Sequence, residues 1–312
     1  MKHNPKITAI LLAMFIVTQL IGIYVVSYYS PVKVVNQQVT EVTNAPSLPL
    51  GLETPRVEKE SQYPGLFLGI VVAFIFAILL FLLLTRFKVE FVLKLWFFIV
   101  VVIALSVSFL SILSPFITKA LMISVILAFI LAMAKIYGRN FIVHNATELF
   151  IYPGIAAVFV PILNVWTIVA LLILISVYDA WAVWHSGIMQ KMAKYQINQL
   201  KIFSGFFVPY FAKGVRRKIA NWKKTLSKTQ LRKKKIKVSI AILGGGDVVF
   251  PIITAGVMLK TLGLTSALFV IAGATLGLAY LFFFSKKKKF YPAMPFITAG
   301  ILLGIAVSYL VL

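Results

Sequence analysis

Two aspartates are the residues of this chain best placed to do chemistry. Asp179 stands in SVYDAWAVW and Asp247 in GGGDVV, both inside apolar runs of bilayer-spanning length. The other acids, Glu41, Glu53, Glu58, Glu60, Glu90 and Glu148, fall in loops or at the ends of such runs. An ionisable group in hydrocarbon is expensive and usually faces a partner or a water-filled cavity. Two carboxyls that meet in a poorly solvated site cannot both ionise easily; they share a proton and titrate as a coupled pair. Such a pair can take a proton from water with one carboxylate and polarise a carbonyl with the other, which is the chemistry of peptide-bond hydrolysis. The plainer reading is that each acid pairs with backbone groups and holds helices together.

The elements that must position these acids are membrane helices. The chain has 312 residues, 61% hydrophobic and 12% charged, with no cysteine. That composition excludes an ordinary soluble protein, disulfides, thiolate catalysis and cysteine–zinc sites. Apolar runs of about 20 residues, each able to cross about 30 Å of hydrocarbon, recur from end to end. They are continuous rather than alternating, which favours helices over a closed barrel. The expected fold is therefore an all-α polytopic membrane protein with spans at 7–29, 64–85, 91–113, 116–137, 146–163, 165–187, 238–259, 262–284 and 291–312. The first is read as a retained helix rather than a cleaved signal, because SYYSPV offers no small-x-small site.

Charge supports the count. With a cytoplasmic N-terminus and an exterior C-terminus, the inside holds Lys2, Lys6, Arg86, Lys88, Lys94, Lys135, Arg139, a large basic loop and Lys286 to Lys289. The outside keeps Lys33, Arg56, Lys59, Lys119 and Lys260. This is the asymmetry of the positive-inside rule, and a multi-pass protein of the cell membrane is expected. Three parts follow: residues 1–190 with six helices and an exterior loop at 30–63, a basic loop at 191–237, and three helices in 238–312. The basic loop carries fifteen Lys and Arg and no acid, interleaved with Phe203, Phe206, Phe207, Tyr210, Phe211 and Trp222. It is expected to lie on the membrane, rings toward acyl chains and cations on anionic headgroups. The net charge of +23 is thus assigned to topology and lipid, not to nucleic acid.

Asp179 and Asp247 lie at matching depth in this scheme, roughly 9–14 Å from the cytoplasmic boundary on consecutive helices. Gly244, Gly245 and Gly246 remove side chains beside Asp247, so that backbone, from a helix or a bound peptide, can come close. Pro292 and Pro295, in FYPAMPF, loosen the start of the last span at the same depth. Gly273-x-x-x-Gly277 and Gly300-x-x-x-Gly304 are read as helix-packing spacings. His3, His144 and His185 are scattered, and neither a His-Glu-x-x-His nor a Gly-x-Ser-Gly motif occurs.

Together these motifs resemble the presenilin and signal peptide peptidase family of intramembrane aspartyl proteases, especially its archaeal presenilin-like members. Tyr178-Asp179 matches the family's Tyr-Asp, and Gly244-x-Gly246-Asp247 its Gly-x-Gly-Asp. Pro292-Ala293-Met294 matches its Pro-Ala-Leu with Met for Leu, a swap that keeps volume and apolarity. The resemblance implies hydrolysis of peptide bonds within transmembrane helical protein substrates by an Asp179/Asp247 dyad, without cofactor or metal. It also implies activity without accessory subunits. Tyr178 is expected to line the site or pack in the core. Leu243, Gly244, Gly245, Gly246, Pro292, Ala293 and Met294 are expected to meet the substrate, which must unwind and could pair with an extended edge. The competing class is a proton- or cation-coupled transporter or channel built on the same two aspartates.

Overall fold

The computed structural model describes residues 5–29, 32–35, 38–41, 46–53, 57, 59–87, 90–138, 140–186, 204–210, 239–285 and 291–312. Nine helices among them are long and apolar enough to cross a membrane. In chain order they are α1 (Pro5–Tyr29), α2 (Tyr63–Arg86), α3 (Glu90–Leu113), α4 (Ala120–Tyr137), α5 (Phe141–Phe159), α6 (Val165–Trp181), α7 (Gly245–Leu262), α8 (Leu264–Phe284) and α9 (Met294–Val311). Most of their outward residues are large and apolar, as lipid requires: Phe76, Trp96, Trp166 and Leu310 are all exposed.

Inside the bundle, α7 is the most enclosed span. It packs on α1, α5, α6 and α8. Its unbroken buried run from Pro251 to Met258 suits an element covered on all sides. Small residues set the closest approaches. A Cβ on Gly22 would strike Ile252, and one on Gly154 would strike the Ala104 carbonyl. Helices α8 and α9 make the most extensive pair: Gly273 and Gly300 face each other's carbonyls, Gly277 lies on the Phe296 carbonyl and Gly304 on that of Phe269. This is the small-residue packing expected from the two spacings. By contrast, α2 is exposed along most of its length.

Two two-stranded antiparallel sheets complete the architecture of the described residues. In the polar segment between α1 and α2, β1 (Val32–Val35) pairs with β2 (Gln38–Glu41). The second sheet joins β3 (Gly205–Tyr210) to β4 (Ser239–Gly244), with Gly205 opposite Gly244 and Tyr210 opposite Ser239.

The second sheet corrects the sequence reading at two places. The span expected at 238–259 begins as a helix only at Gly245, and residues 239–244 are β4. Apolar length alone does not separate a buried strand followed by a helix from one long helix. Phe206 of the basic loop is fully buried, edge-on to Tyr152 at 5.7 Å, and Phe207 lies against the His144 ring at 4.5 Å. These two rings therefore pack on protein rather than acyl chains. Phe203, Phe211 and Trp222 of that reading lie outside the described residues.

Candidate active site

The three glycines form a joint between strand and helix. Gly244 ends β4 in extended conformation (φ −64°, ψ 149°) and is the N-cap of α7. Asp247 is then the third helical residue, in the first turn rather than deep within the span. The Gly244 backbone N–H is directed to its carboxylate. A Cβ on Gly244 would lie 3.2 Å from Asp247 Oδ2. The constraint at Gly245 is tighter, since a Cβ there would lie 2.8 Å from Ser204 Oγ and 2.9 Å from the Tyr152 ring and hydroxyl. Gly246 is exposed and meets nothing closer than the Phe250 ring at 3.8 Å.

Asp179 lies two residues before the end of α6 and is buried. Its Oδ2 accepts the Met294 N–H at 3.1 Å, and the Ala293 N–H is also directed to the carboxylate. Ala293 is the N-cap of α9 and Met294 its first residue. Both carboxylates are thus held by the open N–H groups of a helix start: Asp247 by its own α7, Asp179 by α9. An anionic group is favoured there, which explains how a membrane bundle accommodates the two acids. They lie close enough to repel one another as charges. Near them, Ser176 Oγ donates to Thr298 Oγ1 at 2.8 Å and ties α6 to α9.

The sequence-predicted residues are distributed as follows. Asp179, Asp247, Gly244, Ala293 and Met294 come together, with Leu243 and Pro292 buried beside them in chain. Gly245 faces Ser204 and Tyr152 instead of open space. Tyr178 is 39% exposed beside Trp181, so it is not a core residue.

Sequence reasoning missed a second polar cluster. Glu148, expected at a span end, is well inside α5 and 1% exposed. Its Oε1 lies 2.6 Å from Lys135 Nζ and accepts the Gly205 N–H at 3.3 Å. His144, read as scattered, is buried with them: Nδ1 lies 3.2 Å from Lys135 Nζ and Nε2 2.9 Å from the Gly205 carbonyl. The ammonium is a donor only, so Nδ1 accepts and Nε2 carries the proton given to Gly205. Asn145 donates to the Phe207 carbonyl at 2.8 Å and accepts the Phe207 N–H at 3.1 Å. The His-x-x-x-Glu and Asn spacing of α5 was the available signal, since it puts His144, Asn145 and Glu148 near one face. On α1, Gln19 Nε2 donates to the Val248 carbonyl at 3.0 Å, directly after Asp247. Among the described residues, no group of His, Asp and Glu side chains could hold a metal ion.

No curated protein matches the chain significantly. Two solved structures share its fold, each of a presenilin family intramembrane aspartate protease. The one in space group C222 is 18% identical over 98% of this chain and 99% of its own, with a TM-score of 0.58. The one in space group P2 is 21% identical over 97% of both, also at 0.58. The family profile described as "Signal-peptide peptidase, presenilin aspartyl protease" matches residues 34–312. The chain therefore belongs to the presenilin and signal-peptide peptidase family: it is a multi-pass membrane protein and an intramembrane aspartyl protease acting on transmembrane proteins.

Proposed function

We propose that Asp179 and Asp247 are the catalytic pair and that the substrate binds as an added strand on β4. One carboxylate, ionised, takes a proton from the attacking water, while the other, protonated, donates to the scissile carbonyl oxygen. A tetrahedral diol forms; its collapse breaks the C–N bond as the amine takes up a proton. A helical substrate hides its amide bonds, so a segment must unwind first, and its freed backbone groups need partners in a medium with little water. The edge of β4 supplies them. The observation that carries this reading is the position of Gly244, which is both the last residue of the strand and packed against the Asp247 carboxylate, a Cβ on it lying 3.2 Å from Oδ2. A strand laid along β4 arrives beside that carboxylate.

Pro292, Ala293 and Met294 take a narrower role than the sequence suggested. The Ala293 and Met294 N–H groups are directed to Asp179, so the segment orients the acid and leaves the ladder to β4. Leu243, Gly244 and Gly246 remain substrate neighbours, whereas Gly245 serves the packing of the joint. Tyr178 lines the approach to Asp179 from α6. The charge distribution supports a cell-membrane protein with cytoplasmic N-terminus and exterior C-terminus. It also supports anionic lipid at the basic loop between the six-helix and three-helix parts, and activity without accessory subunits belongs to the same proposal.

The test is cleavage of a purified single-span substrate in detergent or lipid vesicles by wild type, Asp179→Asn and Asp247→Asn. Each variant is expected to retain the fold and lose cleavage; a variant that still cuts at the wild-type rate removes that residue from the pair.

A further inference from the structure

An antiparallel strand directs its backbone groups alternately to one side and the other, and a two-stranded sheet therefore has two edges that could accept a third strand. Here the outer edge of β3 is already occupied by side chains. Gly205 donates its N–H to Glu148 and accepts the His144 Nε2–H on its carbonyl. Two residues on, Phe207 gives its N–H to Asn145 and receives the Asn145 amide on its carbonyl. Two further on, the position is Pro209, which has no N–H to offer. Since Gly205 and Phe207 turn these groups toward α5, the same alternation turns those of their partners Gly244 and Ile242 away from β3. Ile240, opposite Pro209, follows the same phase.

We infer that His144, Asn145 and Glu148 act as a substitute third strand that seals β3, leaving Ile240 and Ile242 of β4 as the one rail on which substrate backbone can pair. They are positioning residues. They touch neither carboxylate, and they fix which side of the sheet an unwound segment can join. Lys135 holds the seal together, lying 2.6 Å from Glu148 and 3.2 Å from His144. The inference rests on the proposal that substrate adds as a strand.

The absence of cysteine permits a direct test by disulfide trapping. Ile242 and Pro209 are exposed and lie on the same face of the sheet, one on each strand. Ile242→Cys or Pro209→Cys is introduced with Asp247→Asn, which keeps substrate intact, and single cysteines are walked through a single-span substrate peptide in vesicles. Ile242→Cys is expected to trap the peptide at alternating positions and Pro209→Cys to trap it at least tenfold less. Asn145→Ala, added to each, should narrow that ratio. In the Asp247-containing enzyme, Asn145→Ala should free the Phe207 backbone groups as a second, non-productive rail and so lower kcat and KM by a common factor, about twofold where the two edges bind equally well, with kcat/KM unchanged. Asn145→Asp keeps the acceptor for Phe207 and should fall between. Thermal melting of each variant identifies simple unfolding, which would lower the active fraction and hence kcat without moving KM. Equal trapping at both cysteines, or Asn145→Ala with unchanged KM, overturns the seal while leaving strand addition standing. No trapping at Ile242→Cys anywhere along the peptide overturns strand addition itself.

Discussion

Gly245 and Gly246 are adjacent, chemically identical and opposite in what they tolerate. At Gly246 a methyl group meets only the Phe250 ring at ordinary contact distance, 3.8 Å. Replacing a helical glycine with alanine reduces the freedom of the unfolded chain and stabilises by roughly 0.4–1 kcal/mol where the conformation fits. At Gly245 the same methyl stands 2.8–2.9 Å from Ser204 and Tyr152. Ser204 can rotate, but the Tyr152 ring is fully buried edge-on to Phe206 and has no room to retreat. Overpacking of this kind costs about 1–3 kcal/mol, which outweighs the helix gain. The helix gain is common to both, so the two single alanine variants should differ by the overpacking cost, about 1–3 kcal/mol, Gly246→Ala melting above wild type and Gly245→Ala below it. Activity should not follow stability. The methyl of Gly246→Ala stands on the exposed surface next to Asp247, where the added strand arrives, so cleavage of a single-span reporter should fall at least tenfold in the more stable protein. The assay pairs thermal unfolding in one detergent with initial cleavage rates in the same micelles. If Gly246→Ala melts lower than Gly245→Ala, the steric reading of the joint is wrong; if it melts higher and cuts normally, the approach of substrate over Gly246 is wrong.

Lys135→Met should destabilise by about 3 kcal/mol by stranding the buried Glu148 charge. Lys135→Met with Glu148→Leu should recover most of that in thermal melts, although Gly205 then loses an acceptor, the edge of β3 opens, and kcat and KM should fall together. Gly273→Val forces a branched side chain against the Gly300 carbonyl and should separate α8 from α9, giving low yield of folded protein in size-exclusion chromatography. Gln19→Leu removes the hydrogen bond to the Val248 carbonyl and should cost about 1 kcal/mol. Pro292→Ala permits α9 to extend backward, so that the Met294 N–H finds a helical partner and leaves Asp179; cleavage should drop about tenfold with the melting temperature little changed, and a rate equal to wild type would remove the role assigned to that segment.

The membrane architecture was legible because bilayer thickness imposes a length on every helix, and eight of the nine expected spans begin within five residues of the observed helix. The exception is instructive. SIAILGGG reads as the start of a span because strand and helix are equally apolar when buried, and only the glycines mark where one becomes the other. Asp179 and Asp247 stood out because acid in hydrocarbon demands a reason, and the Pro-Ala-Met element because two prolines interrupt an apolar run. The α5 cluster was not legible. His144 and Asn145 fall outside the expected span at 146–163 and Glu148 at its start, where polar residues are ordinary, and their partners on β3 are 57–62 positions away in a segment whose charge pointed to lipid. Only the pairing of Gly205 and Phe207 gives those three side chains a common purpose.

Gly244 belongs to two structures at once. As the final rung of the ladder it is fixed by its neighbours on the sheet, and as the residue packed on the Asp247 carboxylate, with its N–H directed there, it sets the attitude of the acid. A single peptide unit therefore couples the arrival of a guest strand to the aim of the carboxylate. Lengthening that link by one inserted residue after Gly244 would leave both halves intact and disconnect them, so that a peptide could be gripped and never cut.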